Sequence, residues 1–137
     1  MALILRPSRS IPPEPKLAEP ERISPAMRAV IRTKMGRHAA QLGALVSRVV
    51  VLDYDGVARS AGEIFDEPAL ARPVSGDELN GVLPERFFEL QDALRAEARQ
   101  LVAAAAARDN ARVSEAFGGL AKTCLACHQV YLQGAPR

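Results

Sequence analysis

From Ile31 to Leu52 a seam recurs at steps of four and three: Ile31, Met35, His38, Leu42, Leu45, Val49 and Leu52. That spacing lines one face of an α-helix packed against others. Arg32, Lys34, Arg37 and Arg48 fall off the seam. Ser24 is placed to be the N-cap, and Pro25 fits the first helical position, where its missing N–H costs nothing. "DYDG" at 53–56 breaks the pattern, and a shorter second helix is expected from about Asp55 to Asp66. Pro84 opens a third helix with Phe87, Leu90, Leu94, Leu101 and Ala105 on its apolar face. Asp109-Asn110 forms the next turn. A fourth helix is expected from about Ala111 to Gln133, stopped by Gly134 and Pro136. Val113, Phe117, Leu120, Cys124, Cys127, His128 and Tyr131 share one side of it.

No alternating run flanks a hairpin turn, and no repeat of fixed period appears. The pattern therefore predicts an all-α fold, an antiparallel four-helix bundle. Its domain is expected over residues 24–137. Residues 1–23 hold five prolines between positions 7 and 20 and read as an extended leader or linker. A second stretch rich in Pro and Gly, 67–84, reads as a long crossover loop.

Length and composition narrow the class. A chain of 137 residues is one domain, long enough for a real core without disulfides. Apolar residues make up 48%, but only 4% are aromatic, and the alanine-rich C-terminal half favours closely packed helices. Eighteen basic residues against sixteen acidic give a net charge of +2, with the signs interspersed. Neither a nucleic-acid footprint nor a polybasic membrane patch is visible. No apolar run approaches the roughly 18–20 residues of a membrane span.

Both cysteines fall in "AKTCLACHQVYL", residues 121–132, as Cys124 and Cys127 with His128 directly after. Core packing alone does not explain a spacing of three followed by His. A thioredoxin-like pair needs a helix N-terminus in a βαβ setting, and this pair sits late in a helix. A structural zinc site needs four ligands, and adjacent Cys127 and His128 do not easily reach one metal. C-x-x-C-H is otherwise the attachment signature of c-type haem. Two thiols one helical turn apart can reach two vinyl groups of a porphyrin and form thioethers. The following imidazole then meets the iron from one face.

In these residues the chain resembles the class II cytochromes c, the cytochrome c-prime type and its low-spin, methionine-ligated relatives. The resemblance covers residues 25–133 and is densest in "AFGGLAKTCLACHQVYL" (116–132). It implies a four-helix bundle with one covalently bound haem c and its iron on the C-terminal helix. Cys124 and Cys127 are then the thioether attachments and His128 the proximal axial ligand. Many members carry a basic residue where this chain has Leu132. Relatives often form dimers through their first two helices, which makes a homodimer a weak expectation.

The distal ligand is sought on the first helix. Alignment on "LGAL" (42–45) brings Arg32 to the family's distal position, which suits neither type of member. The seam points instead to Met35, with His38 one turn on as the alternative. Arg28 lies one turn before Ile31 and could pair with a haem propionate, or be simply solvated. A Met–His iron implies single-electron transfer to redox partner proteins. A five-coordinate iron would instead bind or sense nitric oxide or carbon monoxide. No acid–base pair suggests an enzyme. Covalent haem attachment implies the periplasm. "MALILRPSRS" lacks the basic region and apolar run of a secretory signal, so the start of the chain is read as lying upstream.

Overall fold

A computed structural model describes residues 24–72 and 83–131. The leader expected at 1–23, the middle of the crossover loop and the expected helix stops beyond Tyr131 lie outside the described residues. Four helices make up the rest: α1 (Pro25–Val50), α2 (Tyr54–Asp66), α3 (Glu85–Ala106) and α4 (Asn110–Tyr131). Among the described residues there is no strand.

Local chemistry sets the ends. The Ser24 hydroxyl accepts from the Met27 N–H at 3.2 Å, and Pro25 occupies the first turn of α1. Asp53 caps α2 by accepting from the Gly56 N–H at 3.0 Å, and Asp109 does the same for Arg112 at 3.1 Å. Both interhelical turns carry a left-handed residue, Leu52 at φ 56° and Arg108 at φ 53°. Three sequence expectations shift here. Leu52 is exposed in the turn rather than on the seam, because α1 ends at Val50 and the chain reverses through it. Pro84 is the cap of α3 and Glu85 its first residue. Asn110 begins α4 rather than closing the turn, and its side chain takes the Tyr54 hydroxyl at 2.5 Å.

Sequential helices run antiparallel. Phe87 at the start of α3 meets Tyr131 at the end of α4, ring centroids 5.7 Å apart. Arg28 at the start of α1 donates to the Tyr131 carbonyl at 3.3 Å. Lys34 on α1 reaches Glu67, just past the end of α2, at 2.8 Å. The α2–α3 and α3–α4 pairs pack most extensively and α1 lies on α2, while α1 and α4 only touch.

Two apolar clusters fill this frame. One unites Leu45, Val57, Ala61, Ile64, Leu101 and Leu120, with Ala98, Ala104 and Ala105 letting the α3 backbone approach its neighbours. The other, at the end holding the start of α1, gathers Ile31, Met35, Phe87, Phe88 and Tyr131. Phe88, absent from the expected face of α3, is 1% exposed and meets Phe87 edge-on at 5.6 Å. Helix α3 is covered on two sides, so its apolar face is broader than a single seam.

The register of α4 is directly testable. Leu120 is fully buried, whereas Leu125 is 70% exposed. Leu120→Ala is expected to cost about 2–5 kcal/mol. Leu125→Ala should stay within about 0.5 kcal/mol of the parent. Urea denaturation midpoints of the two variants check this.

Candidate functional site

Between the two clusters lies a cavity of about 630 Å³, its opening to solvent included. Helix α1 contributes Ile31, Lys34, Met35 and His38, and α4 contributes Thr123, Cys124, Cys127 and His128. Ile64, Phe87, Leu90 and Leu94 make the apolar wall between them. Glu67 and Ala69, beyond the end of α2, and Gln91 and Arg95 of α3 complete it. Five residues singled out by sequence thus line one cavity: Cys124, Cys127, His128, Met35 and His38. Arg28 does not line it, and its guanidinium is engaged with the Tyr131 carbonyl. Arg32 is exposed.

The two thiols are free and half-buried. Burial pushes Cys124 up, and burial together with the neighbouring Cys124 pushes Cys127 up to about 12. Both sulfurs are therefore neutral near pH 7, unlike the depressed thiols of redox pairs.

Opposite them, polar groups converge on Glu67, whose side chain is only 9% exposed. Its Oε1 takes Lys34 Nζ at 2.8 Å and Arg37 Nη2 at 3.1 Å. Its Oε2 lies 2.6 Å from His38 Nε2, yet no N–H is well aligned on that oxygen. Burial lowers the His38 pKa, outweighing the pull of the Glu67 carboxylate. Burial would raise Glu67, but Lys34, His38 and Arg37 together hold it below its ordinary value. The backbone of this segment is tied down too. Lys34 donates to the Pro68 carbonyl at 2.7 Å and Arg95 to that of Glu67 at 2.8 Å. Gln91 makes two bonds to Leu70, at 2.8 and 2.9 Å.

Lys34, expected off the seam, is thus turned to the cavity, its side chain 12% exposed. Its aliphatic stem can lie along the bundle while its ammonium finds Glu67. Arg48 departs likewise, bonding the Gly56 carbonyl at 3.1 Å and the Ser60 hydroxyl. Sequence reasoning missed Glu67, Gln91 and Arg95, whose roles depend on contacts 21 to 33 positions distant.

The residues suit a porphyrin by their donor chemistry. Among the described residues, no three or more His, Cys, Asp or Glu side chains converge as ligands for a metal ion. They do not form a cage of their own. They would suit a group that supplies most of its iron's donors itself, with Cys124 and Cys127 to anchor it and His128, Met35 and His38 available as further ligands.

The comparisons agree with that chemistry. The family model described as Cytochrome C' matches residues 83–132, which span α3, the turn and α4 with its C-x-x-C-H. The match supports a class II cytochrome c of the cytochrome c-prime type, a c-type haem protein of electron-carrier or gas-binding kind. The family implies covalently bound haem c with its iron. No curated protein and no solved structure matches the chain. Among the described residues no helix is long and apolar enough to cross a membrane.

Two outcomes follow from the titrating groups. A thiol with pKa about 12 is about one part in 10⁴ thiolate at pH 8. In protein made without haem, Cys127 should be alkylated at pH 8 at least tenfold faster once urea is added. Equal rates would mean that α4 is not packed. His38 and Glu67 both have folded pKa values below their unfolded ones. Each therefore contributes stability that is complete above its unfolded value and lost as pH falls through the folded one. Denaturation midpoints of protein made without haem should fall first below about pH 6.5 and again below about pH 4.5, the ordinary His and Glu values. His38→Gln should remove the first step.

Proposed function

We propose that this is a periplasmic single-electron carrier with one haem, attached at Cys124 and Cys127, with His128 as proximal and Met35 as distal ligand. The observation that carries the reading is the common cavity, into which α4 brings both thiols and His128 while α1 brings Met35. Met35 is 6% exposed and belongs to the same apolar cluster against which Cys127 packs. A haem iron held between an imidazole and a thioether can pass one electron without changing ligands, and the thioether raises its potential.

The chain's own residues supply the rest. The sulfurs fix the group to α4, and their neighbour His128 needs no further segment to reach it. Ile31, Ile64, Leu90 and Leu94 give the cavity an apolar wall, which favours the less charged state of a bound redox centre. His38 also lines the cavity, but its Nε2 lies 2.6 Å from the Glu67 carboxylate, which favours Met35 as the ligand. An electron carrier rather than an enzyme is the natural role, acting with redox protein partners outside the cytoplasm. A homodimer remains compatible with it.

The test uses protein matured with haem-attachment machinery. The haem should survive acid–acetone extraction and become extractable in Cys124→Ala/Cys127→Ala. His128→Ala should lose the normal Soret signature. The ferric protein should be low-spin with the weak far-red band of a sulfur–iron bond, and Met35→Ala should turn it high-spin and reactive to carbon monoxide. A wild-type protein already high-spin and quick to bind carbon monoxide would replace electron transfer with gas binding.

A further inference from the structure

Met35 and His38 line the same cavity from one face of α1, one turn apart. Both side chains can ligate iron, and a nitrogen donor suits ferric iron better than a soft thioether. Position alone would then favour the imidazole. What distinguishes the two is a third residue. Glu67 Oε2 sits 2.6 Å from His38 Nε2, the ring nitrogen farthest from the backbone and the one with reach. No comparable polar partner holds Met35, which packs among apolar side chains.

Glu67 is not free to follow the imidazole or to leave it. Its other oxygen is held by Lys34 and Arg37, and its backbone carbonyl by Arg95. Lys34 also binds the next carbonyl, that of Pro68, and Gln91 fixes Leu70 from α3. Glu67 is thus fastened by its carboxylate from α1 and by its backbone from α3. If His38 swung away, Oε2 would lose its nearest possible donor at a position already closed to water. A buried carboxylate oxygen moved away from the donor it faces loses electrostatic stabilisation that water cannot replace there. That cost opposes any movement of His38 toward a ligand site.

We propose that Glu67 is the positioning residue that selects the distal ligand, by holding His38 Nε2 away from the iron and leaving that face to Met35. The proposal rests on the haem reading above and adds a residue to it that touches no ligand atom of the haem itself. Its direction is fixed by chemistry. Removing the carboxylate frees the imidazole, and His38 would then compete with Met35, one turn away, to hold the iron of a bound haem. Two imidazoles give a lower potential than imidazole and thioether.

The experiment compares ferric spectra and potentials of haem-loaded wild type, Glu67→Ala, Glu67→Gln, His38→Ala and the double variant Glu67→Ala/His38→Ala. In the wild type, His38→Ala should leave the spectrum unchanged. Glu67→Ala should lose the sulfur–iron band while staying low-spin, with a lowered potential, and the double variant should regain the wild-type spectrum. Glu67→Gln keeps the side-chain shape and should show the same His38-dependent species even if the alanine variant is too unstable to purify. A merely structural role would lower the denaturation midpoint without a species that His38→Ala abolishes. Failure of the ligand reading looks different, since a wild type without the sulfur band fails on Met35 alone. In that case Glu67→Ala or Glu67→Gln must still convert the iron to a low-spin form that requires His38. The proposal is overturned if neither Glu67 variant produces a His38-dependent spectrum, or if His38→Ala already alters the wild type.

Discussion

A four-helix bundle that packs evenly along its length has no room for a cofactor, and this one is kept from doing so by the tethering of residues 67–70. Lys34 from α1 and Gln91 and Arg95 from α3 hold that short segment by its backbone and by the Glu67 carboxylate. It forms one wall of the space where α1 and α4 barely meet. On either side of that space the core is apolar and closely packed. The cavity therefore lies in a break between two clusters rather than in a groove on the surface, and its far wall is α4 with both thiols.

This arrangement explains why so many charges crowd a small region. Three side chains of α1, at positions 34, 37 and 38, meet one carboxylate. Exposed pairs of this kind contribute little, and Arg37, well exposed, adds mainly to the local field. Lys34 and Glu67 are mostly sheltered, so breaking one partner would leave the other charged and poorly solvated. The cluster is thus more useful for geometry than for stability. It fixes which side of α1 turns toward the cavity and which nitrogen of His38 faces the carboxylate.

How much of this was legible depends on whether the cause was local. Ser24, Pro25 and the recurring seam place α1, because capping and a 3.6-residue period act within a few positions. The C-x-x-C-H stood out for the same reason, since a spacing of three along a helix brings both thiols to one side of α4, where both line the cavity. Leu52 was misplaced because periodicity continues on paper past the point where a left-handed residue turns the chain. Lys34 and Arg48 looked like solvated residues, yet their long stems carry charged ends to partners on or just past α2. Glu67 had no signal at all. It follows the last turn of α2 in a proline-rich stretch, and its importance comes from residues on two other helices. The carboxylate beside His38 is therefore the part of the cavity that tertiary structure, not pattern, reveals.

Burial also bears on the order of events at the sulfurs. A thiol adds to a carbon–carbon double bond most readily as thiolate, and packing makes the thiolate of Cys127 scarce. The same packing narrows access, since Cys127 lies against the cluster of Ile31, Met35 and Tyr131. Chemistry at these atoms is easiest while α4 is still undocked, when both thiols have ordinary acidity and open approach. A group anchored at that stage would then be enclosed as α1 folds onto α2 and the 67–70 segment is tied down.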